Sequence, residues 1–130
     1  MRKIILDTNF LMMPFQFKVD IFSEIERICD FNYSLFVFEG SIDELKSIIH
    51  NQSGKDKKAA QFALKLIKLK NINVIKSEKK DVDSLILENA GSKDIVATQD
   101  MQLKRQLAKK GVSLIAMRGK KYLILNERRY

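Results

Sequence analysis

The sequence predicts an α/β fold: a single domain over residues 1–130, built as an α/β/α sandwich around a central parallel β-sheet. Three observations carry that expectation. Apolar runs of strand length alternate with helical patterns along the whole chain, and the middle runs are short and almost wholly apolar, as strands buried on both faces should be. A length of 130 residues, 45% hydrophobic and 31% charged with 5 Gly and 1 Pro, suits one ordinary globular core rather than a disordered or fibrous chain.

The first strand is read at KIIL (3–6), ending on Asp7 with Thr8 and Asn9 behind it. VDIFSEIERICDF (19–31) spaces Ile21, Ile25 and Ile28 as one helix face, and its Cys29 reads as a core thiol. SLFVF (34–38) is the second strand. SIDELKSIIHN (41–51) is the next helix, with Ser41 and Glu44 spaced as a capping box that starts it near Ile42. NQSGKDKK (51–58) reads as an exposed loop leading into KDKKAAQFALKLIKLK, where Ala59, Phe62, Ala63, Leu66 and Ile67 oppose a lysine face. INVI (72–75) and DIVAT (94–98) are strands separated by the helix DVDSLILENA. DMQLKRQLAKKG is a helix stopped by Gly111 at the position just past its end. VSLIAM (112–117) and YLIL (122–125) complete the strands, and the tail 126–130 is expected to fray. Met12 and Met13 read as core. Phe15 and Phe17 are placed in a loop beyond Asp7, covering a core edge or a dimer contact in preference to stacking on bases.

Composition narrows the chemistry. A single Cys29 excludes an intrachain disulfide and a cysteine zinc site, and a single His50, expected at the surface, cannot build a histidine-rich metal centre. No stretch reaches the roughly 18 apolar residues of a membrane span, and the N-terminal run lacks a signal-peptide pattern, so no membrane partner and a cytoplasmic location are expected. The net charge of +8 points to a polyanion, and its distribution is uneven. Residues 46–80 carry ten lysines against Asp56 and Glu78, and residues 102–130 carry nine bases against Glu127 alone. Acids collect in residues 1–45 and 81–100, which is what an acidic centre bordered by phosphate-binding surface requires.

In an open parallel sheet the site lies outside the carboxyl ends of the strands. Asp7 and Asp100 fall at that edge, Glu44 joins them from the first turn of its helix, and Asp83 comes from the start of the helix before DIVAT. Clustered carboxylates raise one another's pKa, and a hard divalent cation removes that cost. Mg²⁺ or Mn²⁺ held by Asp7, Glu44, Asp83 and Asp100 would suit phosphodiester hydrolysis, with Thr8, Asn9 and Thr98 holding the ligands in place. Lys104, Arg105, Lys109 and Arg118 are the candidate phosphate contacts. Asp-Thr-Asn is also ordinary turn and cap chemistry, and Asp94, at the wrong strand end, is read as structural. An Asp-nucleophile phosphatase would usually show Asp-x-Asp where this chain has Asn9, and no phosphate-binding glycine motif occurs.

These residues resemble a known family. IILDTNFLM with Asp7, SIDELKSI with Glu44, DVDSLILENA with Asp83 and DIVATQDMQLKRQLAKKGVSLI with Asp100 are similar, in order, to the four acidic motifs of PIN-domain ribonucleases. The resemblance runs from Lys3 to about Leu125 and implies a Mg²⁺- or Mn²⁺-dependent endoribonuclease acting on single-stranded RNA, often as a homodimer. Asp81 competes with Asp83 for the third motif, and Asp83 is preferred because Ile86 then follows as in the family pattern. Gln99 and Met101 flank Asp100 where the family often has a further acid. The opening stretch is similar to archaeal single-domain members grouped with small-subunit rRNA-processing nucleases, which implies a pre-ribosomal partner. The alternatives are a VapC-type toxin silenced by an antitoxin, and a non-catalytic RNA-binding module of the same fold.

Overall fold

The computed structural model describes residues 1–78 and 81–128. Its elements are β1 (Arg2–Leu6), α1 (Thr8–Phe17), α2 (Ile21–Ile28), β2 (Tyr33–Phe38), α3 (Glu39–Asn51), α4 (Gly54–Leu69), β3 (Asn73–Ile75), α5 (Val82–Asn89), β4 (Ile95–Ala97), α6 (Met101–Lys109), β5 (Ser113–Arg118) and β6 (Tyr122–Asn126). The six strands form one sheet in the order β3-β2-β1-β4-β5-β6. The sandwich is the expected one. Ile4 and Leu6 of β1 face a core that holds α1 to α4, whereas Ile5 faces a second core with Leu85 and Ile86 of α5 and Leu103 and Leu107 of α6. The two-residue alternation of a strand thus assigns consecutive apolar residues of β1 to opposite layers. Ala59, Ala60 and Ala63 are fully buried, so α4 meets its neighbours with its small-residue face.

The structure corrects the sequence reading in several places. The sheet is parallel except at β6, which pairs antiparallel with β5 from Arg118↔Tyr122 to Leu114↔Asn126. Gly119 and Lys120 both have positive φ (58° and 56°), the backbone of a tight hairpin turn, so the chain reverses without a crossover helix. Phe15 and Phe17 are not in a loop. They lie in α1 and pack half-buried against the larger core, with the Phe15 ring 6.0 Å from that of Phe62. That helix contains Pro14, which cannot donate to the carbonyl of Phe10, yet it persists because Phe10, Leu11, Met12 and Met13 are all buried. The expected loop 51–58 shrinks to Gln52 and Ser53, since Gly54 to Lys58 already belong to α4.

The capping box does not form: α3 begins at Glu39, and Phe38 at its N-cap makes no side-chain capping bond. The tail is tied down as far as it is described. Asn126 pairs in β6, Glu127 forms a two-pronged ion pair with Arg2 at 2.9 Å, and the Arg128 N–H donates to Ser113 Oγ at 3.1 Å. Arg129 and Tyr130, together with Lys79 and Lys80 of the basic run, lie outside the described residues. Cys29 is buried at the end of α2, and burial pushes its thiol up to about 11. Among the described residues no helix is long and apolar enough to cross a membrane.

Candidate active site

β1 and β4 lie side by side and parallel; the chain leaves β1 towards β2 on one side, while β4 leads to β5 on the other. This is the point where the strand order reverses, and it opens a crevice at the carboxyl edge. Asp7 is placed there by the sheet itself: its N–H donates to the Ala97 carbonyl at 3.1 Å, carrying the β1–β4 ladder one residue past β1. Although Asp7 stands at the N-cap of α1, its carboxylate makes no capping hydrogen bond. Instead the Thr98 hydroxyl donates to Asp7 Oδ2 at 2.7 Å. The same Thr98 oxygen accepts from the Asp100 N–H at 3.1 Å, so one fully buried side chain ties Asp7 to the start of α6. Burial pushes the Asp7 carboxyl above its ordinary range. The Thr98 hydroxyl and the nearby Asn9 and Thr8 N–H groups oppose that push, and the charge of Glu44 adds to it.

A second relay holds Glu44. Thr8 Oγ1 donates to Glu44 Oε1 at 2.5 Å and lies 2.7 Å from Ser41 Oγ. A hydroxyl has one proton to give, so Ser41 donates to Thr8 and Thr8 to Glu44. This is why the capping box fails. Ser41 is fully buried against Thr8 rather than turned to its own helix end, and Glu44 sits in the second turn of α3 instead of the first.

Asp7, Thr8, Asn9, Glu44 and Asp83 line one cleft of about 350 Å³, together with Asp81. Asp83 and Asp81 also line an adjoining cleft of about 230 Å³ that reaches Asp100. The two carboxylates rivalling each other for the third motif differ in use. Asp81 caps α5 by accepting from the Ser84 N–H, and the Ser84 hydroxyl and then that N–H hold its carboxyl low, whereas burial and then the charges of Asp7, Asp100 and Asp81 push Asp83 up. Asp100 caps α6 through Oδ1, which accepts from the Leu103 N–H at 2.9 Å. Asp94 is spent within its own loop, accepting from the Gly91 N–H at 2.8 Å.

Of the candidate phosphate contacts, Lys104 lies one turn beyond Asp100 on α6 and is half-buried; burial, then the neighbouring Arg118 at the end of β5, lowers its pKa. Arg105 is exposed on the same helix. Lys109 is the last residue of α6, ~12 Å along the axis from its start, and so belongs to the opposite edge of the sheet.

Among the described residues no three His, Cys, Asp or Glu side chains stand close enough to form a ready metal-ligand set. The donor chemistry fits a hard cation all the same. Asp7 and Asp83 are pushed towards their neutral forms partly by neighbouring carboxylates, and the polar groups lining the clefts, carboxylates, hydroxyls and side-chain amides, all carry oxygen donors. Mg²⁺ and Mn²⁺ accept such ligands while keeping several waters, which can span gaps that direct coordination cannot.

A family model described as a PIN-like domain matches residues 4–120. The chain belongs to that family. It is 32% identical over 124 residues to Ribonuclease VapC4 of Methanocaldococcus jannaschii, covering 94% of this chain and 95% of the relative. It is 33% identical over 112 residues to Ribonuclease VapC9 of Archaeoglobus fulgidus, covering 85% and 79%. Among solved structures, the PIN domain endonuclease Utp24 superposes with a TM-score of 0.77 at 18% identity, over 96% of this chain and 91% of that one. A domain of a functionally unknown protein from Methanocaldococcus jannaschii gives 0.62 at 14% identity, over 92% and 93%. At those identities the structural likenesses speak for the fold.

Two side chains of this PIN-like domain were missed as parts of the site. Ser41 reads locally as a cap, although its spacing of three from Glu44 also puts both on one face of a helix. Gln99 accepts from the Met117 N–H at 2.6 Å and donates to the Met117 carbonyl at 3.3 Å, pinning the residue before Asp100 to β5. No signal in the sequence marks that pairing, because Met117 is 18 residues away.

Proposed function

We propose that this PIN-like domain is a metal-dependent endoribonuclease that hydrolyses phosphodiester bonds in single-stranded RNA. The observation that carries the reading is the buried Asp7 carboxylate, which stands at a helix N-terminus without capping it and is held instead by Thr98. A bound Mg²⁺ or Mn²⁺ would supply a polarised water and neutralise charge at the scissile phosphate. Asp7, Glu44, Asp83 and Asp100 would hold it. Thr98 keeps one oxygen of Asp7 fixed, and the Ser41–Thr8 relay fixes one oxygen of Glu44, leaving the other oxygen of each carboxylate to serve as a ligand. Asn9, exposed at the start of α1, adds a polar group to the cleft wall. Lys104, Arg105 and Arg118 would draw the RNA phosphates to the edge where α6 begins. In the net reaction water adds across a P–O bond, giving a phosphate monoester on one fragment and a hydroxyl on the other.

A second reading, a VapC-type toxin silenced by an antitoxin, is supported by the two relatives named as VapC ribonucleases and stands beside the rRNA-processing role that the motif resemblance implies. Growth arrest on expression, relieved by a neighbouring gene product, selects the toxin; selective cutting of precursor rRNA selects the processing role. A homodimer belongs to the same reading and is measured by sedimentation. The central test is cleavage of a labelled single-stranded RNA with Mn²⁺ or Mg²⁺ by the wild type and by Asp7→Asn. Loss of cleavage in the variant with RNA binding kept is the expected result. Cleavage retained by a clean Asp7→Asn preparation overturns the assignment, and binding without cleavage by the wild type replaces it with the non-catalytic module.

A further inference from the structure

On the flank of the sheet away from β4, the helices α3 and α4 and the edge strand β3 enclose a groove of about 540 Å³. Its floor is aliphatic, built on Leu64, Ile72 and Val74, and Val74 is 42% exposed although it belongs to the sheet. Its rim carries Lys46, Lys65 and Lys68, and no acid lines it. None of the three lysines makes an ion pair or side-chain hydrogen bond among the described residues.

We propose that this groove docks an acidic segment of a partner protein, whose aliphatic side chains cover the floor while its carboxylates meet Lys46, Lys65 and Lys68. Charge complementarity selects this occupant. A second copy of the chain would set the same three lysines against one another across a two-fold axis, which repulsion opposes. RNA would suit the lysines but not the floor, which offers no aromatic ring on which a base could stack. An apolar strip flanked by acids satisfies both parts, as amphipathic segments do in hydrophobic grooves with charged rims. The groove uses Lys46 of α3, whereas Glu44 of the same helix faces the cleft, so the docking proposal stands independently of the proposed catalysis.

The test uses the full chain and a fluorescent amphipathic peptide with leucines at helical spacing flanked by glutamates. The controls are a scrambled peptide of equal composition and a labelled single-stranded RNA. The expected result is saturable binding that weakens as salt rises, falls about tenfold or more with the scrambled peptide, and falls similarly in Lys46→Glu/Lys65→Glu/Lys68→Glu. Val74→Asp, which keeps every lysine and alters an exposed position, also loses the peptide, and both variants must melt cooperatively and still bind RNA. Four results overturn the proposal: no peptide binding, equal binding of the scrambled peptide, unchanged binding in both variants, or self-association of the wild type that the charge reversal abolishes. Loss of RNA binding in the triple variant with peptide binding untouched assigns the groove to RNA and overturns it equally.

Discussion

Thr98→Val tests the way the centre is built. Valine nearly matches threonine in shape but deletes the donor to Asp7 Oδ2 and the acceptor of the Asp100 N–H at a fully buried position. A hydrogen bond to a charged group contributes about 1.5–3 kcal/mol. With roughly 2.1 cal/mol/K of unfolding entropy per residue, a chain of 130 residues translates that loss into a melting midpoint ~5–11 °C lower. The loss has a pH signature. Thr98 is the largest influence holding the Asp7 carboxyl down, so its removal lets that carboxyl rise further, and the acid limb of the cleavage profile moves to higher pH. Because Thr98 would act on the metal through its ligand, Mn²⁺ affinity falls by about 10–100-fold. Thr98→Ser keeps the hydroxyl and restores the pH profile and the Mn²⁺ affinity, which a merely structural role would not require. Differential scanning calorimetry, Mn²⁺ titration and initial rates across pH read all three effects. A Thr98→Val protein that melts with the wild type and keeps its Mn²⁺ affinity refutes the reasoning, since Asp7 would then not depend on that bond.

Three further outcomes are expected. The folded Asp7 carboxyl lies above its unfolded value of 3.8, so its contribution to stability is fully present below that pH and lost as pH rises through the folded value. Without metal, Asp7→Asn should therefore melt above the wild type at neutral pH and converge with it in acid, and Mn²⁺ should raise the midpoint of the wild type alone; a wild type that is the more stable of the two at pH 7 contradicts this. Lys104→Glu with Arg105→Glu should weaken RNA binding and reduce the slope of log affinity against log salt by about one per lost contact, so an unchanged slope removes both from the RNA path. Phe10→Ala, at a site 1% exposed, should cost about 3–5 kcal/mol in urea unfolding. Phe62→Ala, at a site 40% exposed, should cost far less.

The sheet and most helices were legible because their apolar spacing repeats with the period of the element that buries them, as in Ile21 and Ile25 of α2 or Leu103 and Leu107 of α6. α1 was not, because Phe10 to Met13 are buried consecutively and Pro14 interrupts the run, leaving neither a helical stripe nor an uninterrupted backbone pattern to read. Asp7, Thr98 and Asp100 could be located from the strand ends that precede them. The Ser41–Thr8–Glu44 relay could not, since it joins residues 33 and 36 positions apart, and local spacing made Ser41 look like a cap. β6 was visible as a strand, but its direction was set by the turn at Gly119 and Lys120, which alternation of strands and helices does not report.

Gln99 behaves as a piece of artificial strand. By accepting from and donating to the same residue, Met117, its amide reproduces the two-way exchange of a peptide group and extends the seam between β4 and β5 beyond Ala97, the last residue of β4. A carboxylate at this position would lack the donor half of that exchange and would face the Met117 carbonyl with like polarity. The residue that keeps the rim shut is thus the one that cannot double its negative charge, and the acidity of the rim must be assembled from separate elements, β1, α3, α5 and α6, that converge only when the sheet is whole.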